Sequence, residues 1–428
     1  MKKLFALFLA MIMALSLVAC GGGAKEEPKA EEPKAEEPKA EEPAKDDGSP
    51  VIKIGALMPF SGTSARNGEC ARYGIDLAVK EINAAGGIQS MGGAKIEVIY
   101  ADSQSDATVG VTETEKLINV EKVDLMLGSF NSAVTLPCTA VAEKAKIPWI
   151  VNSATSDAIT EQGNKYTFRA YYVNSTGTSQ MVQMIHELGE ANNDPIKTVS
   201  IFYEDSEGGQ SWAAGTREAC EKYGMEIVFD EGYPPGTTDF LTPVTKMKAA
   251  KADAILDFSY ISEALLVGQT IADMEVEAKA LVGWGGHASP EFMVNDFAEG
   301  WIVPTSWAAD LNDPDSLEFV EKCLAEYPHE TVVDSVSANG YNDMWMIKEI
   351  LEASGTTEAD AFRETMLNIE IDGGRGNIVK GTGPVIFGEN GQNPNASQIG
   401  TQMIDGAYRT VWPVKYATDK YETIWPYN

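Results

Sequence analysis

The chain alternates between short apolar runs and longer segments in which apolar residues recur with helical spacing. The first half of this pattern predicts strands at 51–58, 95–100, 124–128 and 149–152 and helices at 68–84, 107–119 and 133–146. The pattern then begins again, with strands at 198–203, 226–231, 254–258 and 280–283 and helices at 209–223, 241–250 and 263–274. Strands that alternate with helices of about ten or more residues indicate parallel sheets. The sequence therefore predicts two α/β units of similar size.

Three segments are predicted to connect the two units. The first lies near residues 168–172, the second is the apolar stretch 301–307, and the third is the hairpin-like stretch 400–412. Helical patterns return at 315–327 and 337–354. Three connections between two units would act as a hinge, and two sheets whose carboxyl ends face each other define a ligand cleft that can close.

These patterns predict an α/β fold of two Rossmann-like lobes with parallel sheets, joined by three hinge crossings. We expect lobe 1 to comprise residues 51–170 and 307–398, and lobe 2 to comprise residues 171–306 and 399–428.

The first 49 residues have the features of an export signal followed by a tether. Lys2 and Lys3 precede an apolar run that is too short to span a membrane comfortably. Residues 17–20 (LVAC) resemble a bacterial lipobox, which predicts removal of residues 1–19 and lipidation of Cys20; an ordinary signal peptide with a chance cysteine is the alternative. Residues 20–49 carry the lipidated cysteine and a Lys-Ala-Glu-Glu-Pro repeat, whose regular prolines and lack of apolar residues predict a disordered tether. We therefore expect a body held outside the cytoplasm on a bacterial cell membrane, Gram-positive or Gram-negative.

Composition argues against several classes of function. The formal net charge of −31 disfavours nucleic acid as a partner. The cysteines are widely scattered and the three histidines have no suitably spaced partner, which disfavours a metal site. Cys70 and Cys138 are the only cysteines that we consider as a disulfide pair. No catalytic motif with a nucleophile and a base is present, so we expect neither an enzyme nor a cofactor.

The chain from about 51 to 426 resembles a known family in an ordered set of motifs. These are IKIGALMPFSG, GIDLAVKEINAAGGI, LMLGSFNSAVTLP, IPWIVNSAT, YEDSEGGQSW and PVIFGENGQN. They resemble the type I periplasmic binding proteins of the branched-chain amino acid ABC transporter class, which bind Leu, Ile or Val. The resemblance implies a monomer that captures a small ligand in a closing cleft and delivers it to a membrane permease. A ligand sensor that signals to a membrane receptor or kinase is the alternative, which the sequence leaves open.

The resemblance also implies which residues hold the ligand. The family binds the carboxylate of an amino acid with hydroxyls and backbone amides, and the matching positions are Ser132, with its neighbour Asn131, and Ser153 and Thr155. Free amides at a helix N-terminus favour an anion, although each hydroxyl could equally be a helix cap. On the second lobe, Tyr260 matches an aromatic residue that contacts the ligand.

Two departures from the family pattern concern the rest of the ligand. Gly208 stands where the family has a tyrosine that covers the ligand. Gly285 stands where the family has the acid that pairs with the ligand's ammonium group. Either Asp257, Glu207 or Glu204 replaces this acid, or the ligand has no α-amino group.

Three further side chains are candidates for the site. Trp284 and His287 could form a stacking wall, and Arg66 could pair with an anionic group, although a solvated arginine is the commoner case. We expect a small ligand with a carboxylate or an amide, and a branched-chain amino acid is the leading single candidate.

Overall fold

The computed structural model describes residues 48–330, 332–379, 383–416 and 422–427. The predicted signal peptide, the lipidated Cys20 and nearly all of the tether lie outside the described residues. None of the helices in the described part is long and apolar enough to cross a membrane.

The first sheet has five parallel strands in the order β2-β1-β3-β4-β5. The strands are β1 (Val51–Met58), β2 (Lys95–Asp102), β3 (Leu125–Gly128), β4 (Trp149–Ile150) and β5 (Thr167–Phe168). The inner strand β1 is almost continuously apolar because helices cover both faces of the sheet. Successive residues of β3 illustrate this, since Leu125 and Leu127 enter one core and Met126 enters the other.

Two groups of helices cover the first sheet. One core contains residues of α1 (Ala65–Ala84), α10 (Pro314–Glu326), α11 (Ser335–Ser354) and α12 (Ala359–Asn368). The opposite face is covered by α2 (Ala107–Lys116), which continues into a π-helical turn, by α3 (Ser132–Ala145) and by the short α4 (Ala158–Glu161).

The second sheet has seven strands in the order β12-β11-β10-β9-β8-β6-β7. The strands are β6 (Thr198–Glu204), β7 (Glu226–Tyr233), β8 (Ala254–Ser259), β9 (Ala280–Gly285), β10 (Ile302–Thr305), β11 (Ile399–Ile404) and β12 (Ala407–Trp412). The helices on its two faces are α5 (Asn174–Ala191) and α6 (Glu207–Tyr223) on one, and α7 (Leu241–Ala250), α8 (Ile261–Asp273) and α9 (Pro290–Met293) on the other.

The sheets are parallel as predicted except at one edge of the second sheet, where the hairpin-like stretch 400–412 lies. β11 pairs antiparallel with β10, and β12 pairs antiparallel with β11. Asp405 and Gly406 connect the last two strands, and both have positive φ angles of 53° and 70°. A two-residue turn with positive φ at both positions forms a tight hairpin, so residues 399–412 form a sheet edge and the chain crosses between the lobes just before them.

The predicted strands and helices are otherwise confirmed, with boundaries within three residues of those observed. The helices α4, α5, α9 and α12 were not expected from the pattern.

The four cysteines of the described body are buried and unpaired. Cys70 and Cys138, the pair considered for a disulfide, lie in separate cores on opposite faces of the first sheet. The sheet between them prevents their sulfur atoms from meeting. Burial raises the pKa of Cys138 to about 11 and the pKa of Cys323 to about 12.

Two glycines allow α1 and α11 to pack in close contact. A Cβ atom on Gly74 would lie 1.9 Å from the carbonyl oxygen of Ser337, and one on Gly340 would lie 2.4 Å from that of Ala71. The helices therefore touch backbone to backbone, and this contact fixes the N-terminal turn of α11, which faces the cleft.

We predict that Gly74→Ala destabilises the protein by about 3 kcal/mol or more, because the added methyl must push two helix backbones apart. Gly388→Ala is the control, since a Cβ on this partly exposed glycine would first meet Asn390 Oδ1, at 3.2 Å, which is the end of an exposed side chain that can move. We expect the control to change the free energy of unfolding by about 1 kcal/mol or less. Urea denaturation measures both, and equal effects would contradict this account of the helix contact.

Candidate functional site

A small cavity lies between the two sheets, where the carboxyl ends of their central strands face each other. Its volume is about 60 Å³, and we call it the cleft cavity. Six residues predicted for the site line it: Ser132, Ser153, Thr155, Tyr260, Trp284 and Gly285. Aromatic side chains of Phe130, Tyr172 and Phe258 complete much of its apolar wall.

The N-terminus of α3 forms one side of the cleft cavity. Ser132 is the first residue of the helix, and no side chain caps the helix end. The side chain of Asn131 instead donates a hydrogen bond to Ser64 Oγ at 2.9 Å, and Asn131 is not among the lining residues. Unpaired amides and the helix dipole give this end of α3 a partial positive charge, which suits a carboxylate.

Ser153 and Thr155 lie in the loop that follows β4, which we call the β4 loop (residues 151–157). Ser153 Oγ donates to Asn152 Oδ1 at 2.8 Å, and Asn152 Nδ2 in turn donates to the buried Asp343 at 2.7 Å. The backbone oxygen of Thr155 accepts a hydrogen bond from the amide of Asn174. The loop is therefore held from both sides before any ligand enters.

The buried Arg169 holds the β4 loop from beneath. Its guanidinium donates to the carbonyl oxygens of Ala154 and Ser156 at 2.8 and 2.9 Å, and to Thr160 Oγ1 at 3.0 Å. Its Nε donates to Gln392 Oε1 at 2.8 Å, in the segment that crosses between the lobes before β11. Burial lowers the pKa of Arg169 to about 10. Sequence reasoning missed this residue, although a lone arginine directly after an apolar strand was a visible signal.

Tyr260 reaches from the second lobe to the N-terminus of α3. It precedes α8 and is buried, and its oxygen lies beside the Ser132 amide and the Asn131 side chain. Burial raises the pKa of the Tyr260 hydroxyl, which therefore stays protonated. Its ring packs against Phe130, with 5.8 Å between the ring centroids.

The two family departures have a structural explanation. A Cβ on Gly208 would lie 3.1 Å from the Tyr260 hydroxyl oxygen and 3.4 Å from Ser132 Oγ, so Tyr260 fills the space beside this glycine. Gly285 has a φ of +79°, and a Cβ there would lie 2.8 Å from the carbonyl oxygen of Ser259. This backbone conformation disfavours any residue with a side chain.

None of the three acids proposed to replace the missing carboxylate lines the cleft cavity. Glu207 accepts a hydrogen bond from Ser156 Oγ at 2.8 Å, which joins the second lobe to the first. Asp257 is fully buried, and its Oδ2 lies 3.1 Å from Nε2 of the equally buried His287. Burial, together with the nearby Glu263, raises the pKa of Glu204 to about 7.

Of the two aromatic side chains expected to form a stacking wall, only Trp284 lines the cleft cavity. Its ring meets that of Tyr172 edge to face at 5.5 Å. His287 stacks beneath, against Trp301, with 4.9 Å between the ring centroids. The expectation that His287 forms part of the wall is wrong, because its Asp257 contact holds it in the core.

Arg66 makes ion pairs with protein carboxylates at the edge of the cleft. Its guanidinium nitrogens lie 2.6 Å from carboxylate oxygens of Glu69 and of Glu291, and they also contact Glu330. Glu291 belongs to α9 on the second lobe, so this ion pair bridges the two lobes. Arg66 is not among the residues that line the cleft cavity.

The comparisons with known proteins agree with this geometry. A family model described as "Periplasmic binding protein" matches residues 51–404. Leu/Ile/Val-binding protein homolog 7 of Brucella abortus is 31% identical over 375 residues, which are 85% of this chain and 91% of that protein. Homolog 8 of the same organism is 30% identical over 381 residues, 86% of this chain and 92% of that protein. These matches confirm the resemblance inferred from the sequence motifs.

Solved structures share the two-lobe fold. The branched-chain amino acid transporter substrate binding protein LivJ of Streptococcus pneumoniae, in complex with isoleucine, is 26% identical, with a TM-score of 0.73 over 84% of this chain and 99% of that one. A solute binding protein of R. palustris in complex with benzoate is 21% identical, with a TM-score of 0.75 over 84% of this chain and 95% of that one. The predicted two-lobe type I periplasmic-binding-protein fold is thus confirmed.

We predict that Glu204 makes the protein less stable as the pH rises. Its pKa is about 7 when folded and about 4.3 when unfolded. Between these values the folded chain keeps a proton that the unfolded chain releases, so stability falls as the pH rises from about 4.3 to 7, by about 4 kcal/mol in total. Glu204→Gln should remove this part of the decline, as measured by urea denaturation at intervals from pH 5 to 7.5.

The exposed Glu226 of β7 supplies the matched control for this measurement. Glu226→Gln should leave the pH profile of the parent unchanged. An unchanged profile for Glu204→Gln as well would show that Glu204 does not hold its proton through this range.

We predict that Arg169→Met destabilises the protein by about 3–5 kcal/mol, because it leaves two buried carbonyl groups and Gln392 without their donor. Arg72→Met is the control, since Arg72 is half-exposed and pairs with a partly exposed aspartate, and we expect it to cost less than about 1 kcal/mol. Urea denaturation of both variants measures the difference. If Arg169→Met lowers the free energy of unfolding no more than the control does, the β4 loop does not depend on this guanidinium.

Proposed function

Because this chain belongs to the periplasmic binding protein family, we propose that it is the substrate-binding lipoprotein of an ABC importer. It captures a small carboxylate ligand in the cleft cavity, closes around it by a hinge motion, and presents it to a permease in the same membrane. The observation that carries this proposal is the uncapped N-terminus of α3 beside the hydroxyls of Ser153 and Thr155, in a cavity enclosed by both lobes.

The carboxylate of the ligand would sit at the N-terminus of α3. The Thr155 hydroxyl can donate a hydrogen bond to it directly, and the Ser132 amide and the Ser153 hydroxyl can do so once they exchange the Tyr260 oxygen and Asn152 Oδ1 for the ligand. Tyr260 approaches the same helix end from the second lobe, so a ligand there contacts both lobes and favours the closed state. A ligand that binds one conformation better than the other shifts the equilibrium toward it.

The rest of the ligand would be apolar. Phe130, Phe258 and Trp284 line the cleft cavity beyond the carboxylate position, and aromatic rings pack well against a branched aliphatic or an aromatic group. The relatives named for Leu, Ile and Val binding favour a branched-chain amino acid. A benzoate-like acid fits the same chemistry, because the described lining of the cleft cavity carries no acid to pair with an ammonium group.

The anchoring of the protein is part of the proposal. The lipobox-like residues 17–20 and the proline-rich repeat that follows them support a monomer tied to the outer face of the cell membrane by lipidated Cys20. A flexible tether lets the body exchange between free solution and its permease while it stays in the same membrane.

We predict that a small carboxylate raises the melting temperature of residues 50–428. The panel contains branched-chain and aromatic amino acids, their amides, and the matching acids without the amino group. A ligand at about 100 times its dissociation constant adds about 2.7 kcal/mol, which is a shift of a few degrees. The double variant Ser153→Ala, Thr155→Val should lose the shift, since two donors to the carboxylate are gone.

The matched control is Thr245→Val, on the exposed side of α7, which should keep the shift of the parent. If only the amides stabilise the protein, the proposal that the ligand carries a carboxylate is wrong. No stabilisation by any compound would contradict the proposed function.

A further inference from the structure

A second and larger cavity adjoins the cleft cavity on its hinge side. Its volume is about 200 Å³, and we call it the hinge cavity. It lies between β10, the β11–β12 hairpin and the start of α11. The two cavities share Ala288, Thr305 and Ser335 in their linings, so a ligand whose carboxylate sits at α3 can extend past these residues into the hinge cavity.

The acid Asp334 lines the hinge cavity, directly before the shared residue Ser335. It is 5% exposed, and it caps α11 by accepting a hydrogen bond from the Ser337 amide on Oδ1 at 2.8 Å. Its second oxygen, Oδ2, is buried without a nitrogen or oxygen donor among the described residues, and the weak thiol donor of Cys70 is the side chain beside this carboxyl group. A buried carboxylate oxygen without a partner is costly, and a group that approaches from the cavity would remove that cost.

The surroundings of Asp334 carry an excess of negative charge. Arg66 is the nearby cation, and it already contacts Glu69, Glu291 and Glu330. The Oε2 atom of Glu291 is also buried without a hydrogen-bond partner among the described residues. One guanidinium therefore faces four carboxylates, and an additional positive charge would be stabilised here. The hinge cavity itself is lined by two acids, Asp310 and Asp334, and one base, Arg409.

We propose that Asp334 binds the protonated amino group of the ligand, through the junction of the cleft cavity and the hinge cavity. This inference rests on the proposed function and specifies its ligand as a small carboxylate that also carries a primary ammonium group. The carboxylate end binds at α3 and the ammonium end binds at the N-terminus of α11. Asp334 thereby supplies the charge that the strained backbone of Gly285 does not allow at that position.

The other buried acids are less suited to this role. Glu207 accepts a hydrogen bond from Ser156 and Asp257 accepts one from the Ser259 hydroxyl at 2.9 Å, so both have partners within the protein. Burial raises the pKa of Glu204 as it raises that of Asp334, but Glu204 also faces the like charge of Glu263, whereas Asp334 faces the cation Arg66. None of these three lines either cavity.

The test compares acids with and without an amino group on three proteins: the parent body, Asp334→Asn and Asp106→Asn. The asparagine at 334 keeps both the size of the side chain and its cap on Ser337, while it removes the charge. Asp106 caps α2 in the same way, by accepting from the amides of Thr108 and Val109, and it is remote from both cavities. Asp334→Ser, which also caps a helix, is a second variant if the first does not fold.

The probes are two pairs: leucine with 4-methylpentanoate, and 4-aminobutanoate with butanoate. Calorimetry on the parent should give tighter binding for the amine-bearing member of at least one pair. Asp334→Asn should lower the affinity for that compound by about 10- to 100-fold. The affinity for its amine-free partner should stay unchanged. Asp106→Asn should leave all four affinities at the values of the parent.

The outcomes separate this inference from the proposed function. If the amine-free acids bind the parent as well as or better than their partners, the proposed function survives and the role of Asp334 is overturned. If Asp334→Asn lowers the affinities for both members of a pair equally, the role of Asp334 is also overturned, because the residue would then act on the fold of the site. If none of the four acids binds the parent, the role of Asp334 is overturned, while the proposed function still stands if another small carboxylate of the panel raises the melting temperature.

Discussion

The buried guanidinium of Arg169 connects the ligand loop of this protein to its hinge. The same group donates to two carbonyl oxygens of the β4 loop and to Gln392 in another crossing segment. The backbones of these crossings also pair, since the Arg169 amide donates to the carbonyl oxygen of Gly391 at 2.9 Å and the Asn393 amide donates to that of Arg169 at 3.0 Å. A planar group with five donors can join several acceptors at fixed angles, as a lysine could not. The position of Ser153 and Thr155 is therefore set by the hinge, and the site is coupled to the motion that closes it.

Burial affects the carboxylates of this protein as much as ion pairing does. The molecule is strongly acidic, and several carboxylates lie inside it rather than on its surface. Glu204, Asp334 and Asp343 are all buried, and burial raises the pKa of each. Asp343 is satisfied by Tyr171 and Asn152, whereas one oxygen of Asp334 has no such partner. This difference separates an acid that holds the fold together from one that can receive a ligand.

Much of the fold could be predicted from the sequence because the apolar runs of a parallel sheet and the helical spacing between them are local signals. The Asp405-Gly406 pair was also a local signal for a hairpin, and the apolar positions 181, 184, 185 and 188 of α5 have helical spacing behind a polar start. The candidate site was harder to predict because it depends on contacts between distant segments. The family motifs located Ser132, Ser153 and Thr155, but the sequence around Asp334 indicates only a helix cap. That its second oxygen lies beside a cavity follows from the packing of α11 against α1.

The four buried cysteines have a consequence for the maturation of the protein. Cys70 and Cys323 are buried in one core, Cys138 and Cys220 are each buried in another, and burial raises the pKa of each thiol. Thiolates are the reactive form in disulfide exchange, so these side chains behave as small apolar groups. The described body thus reaches its native state without an oxidant.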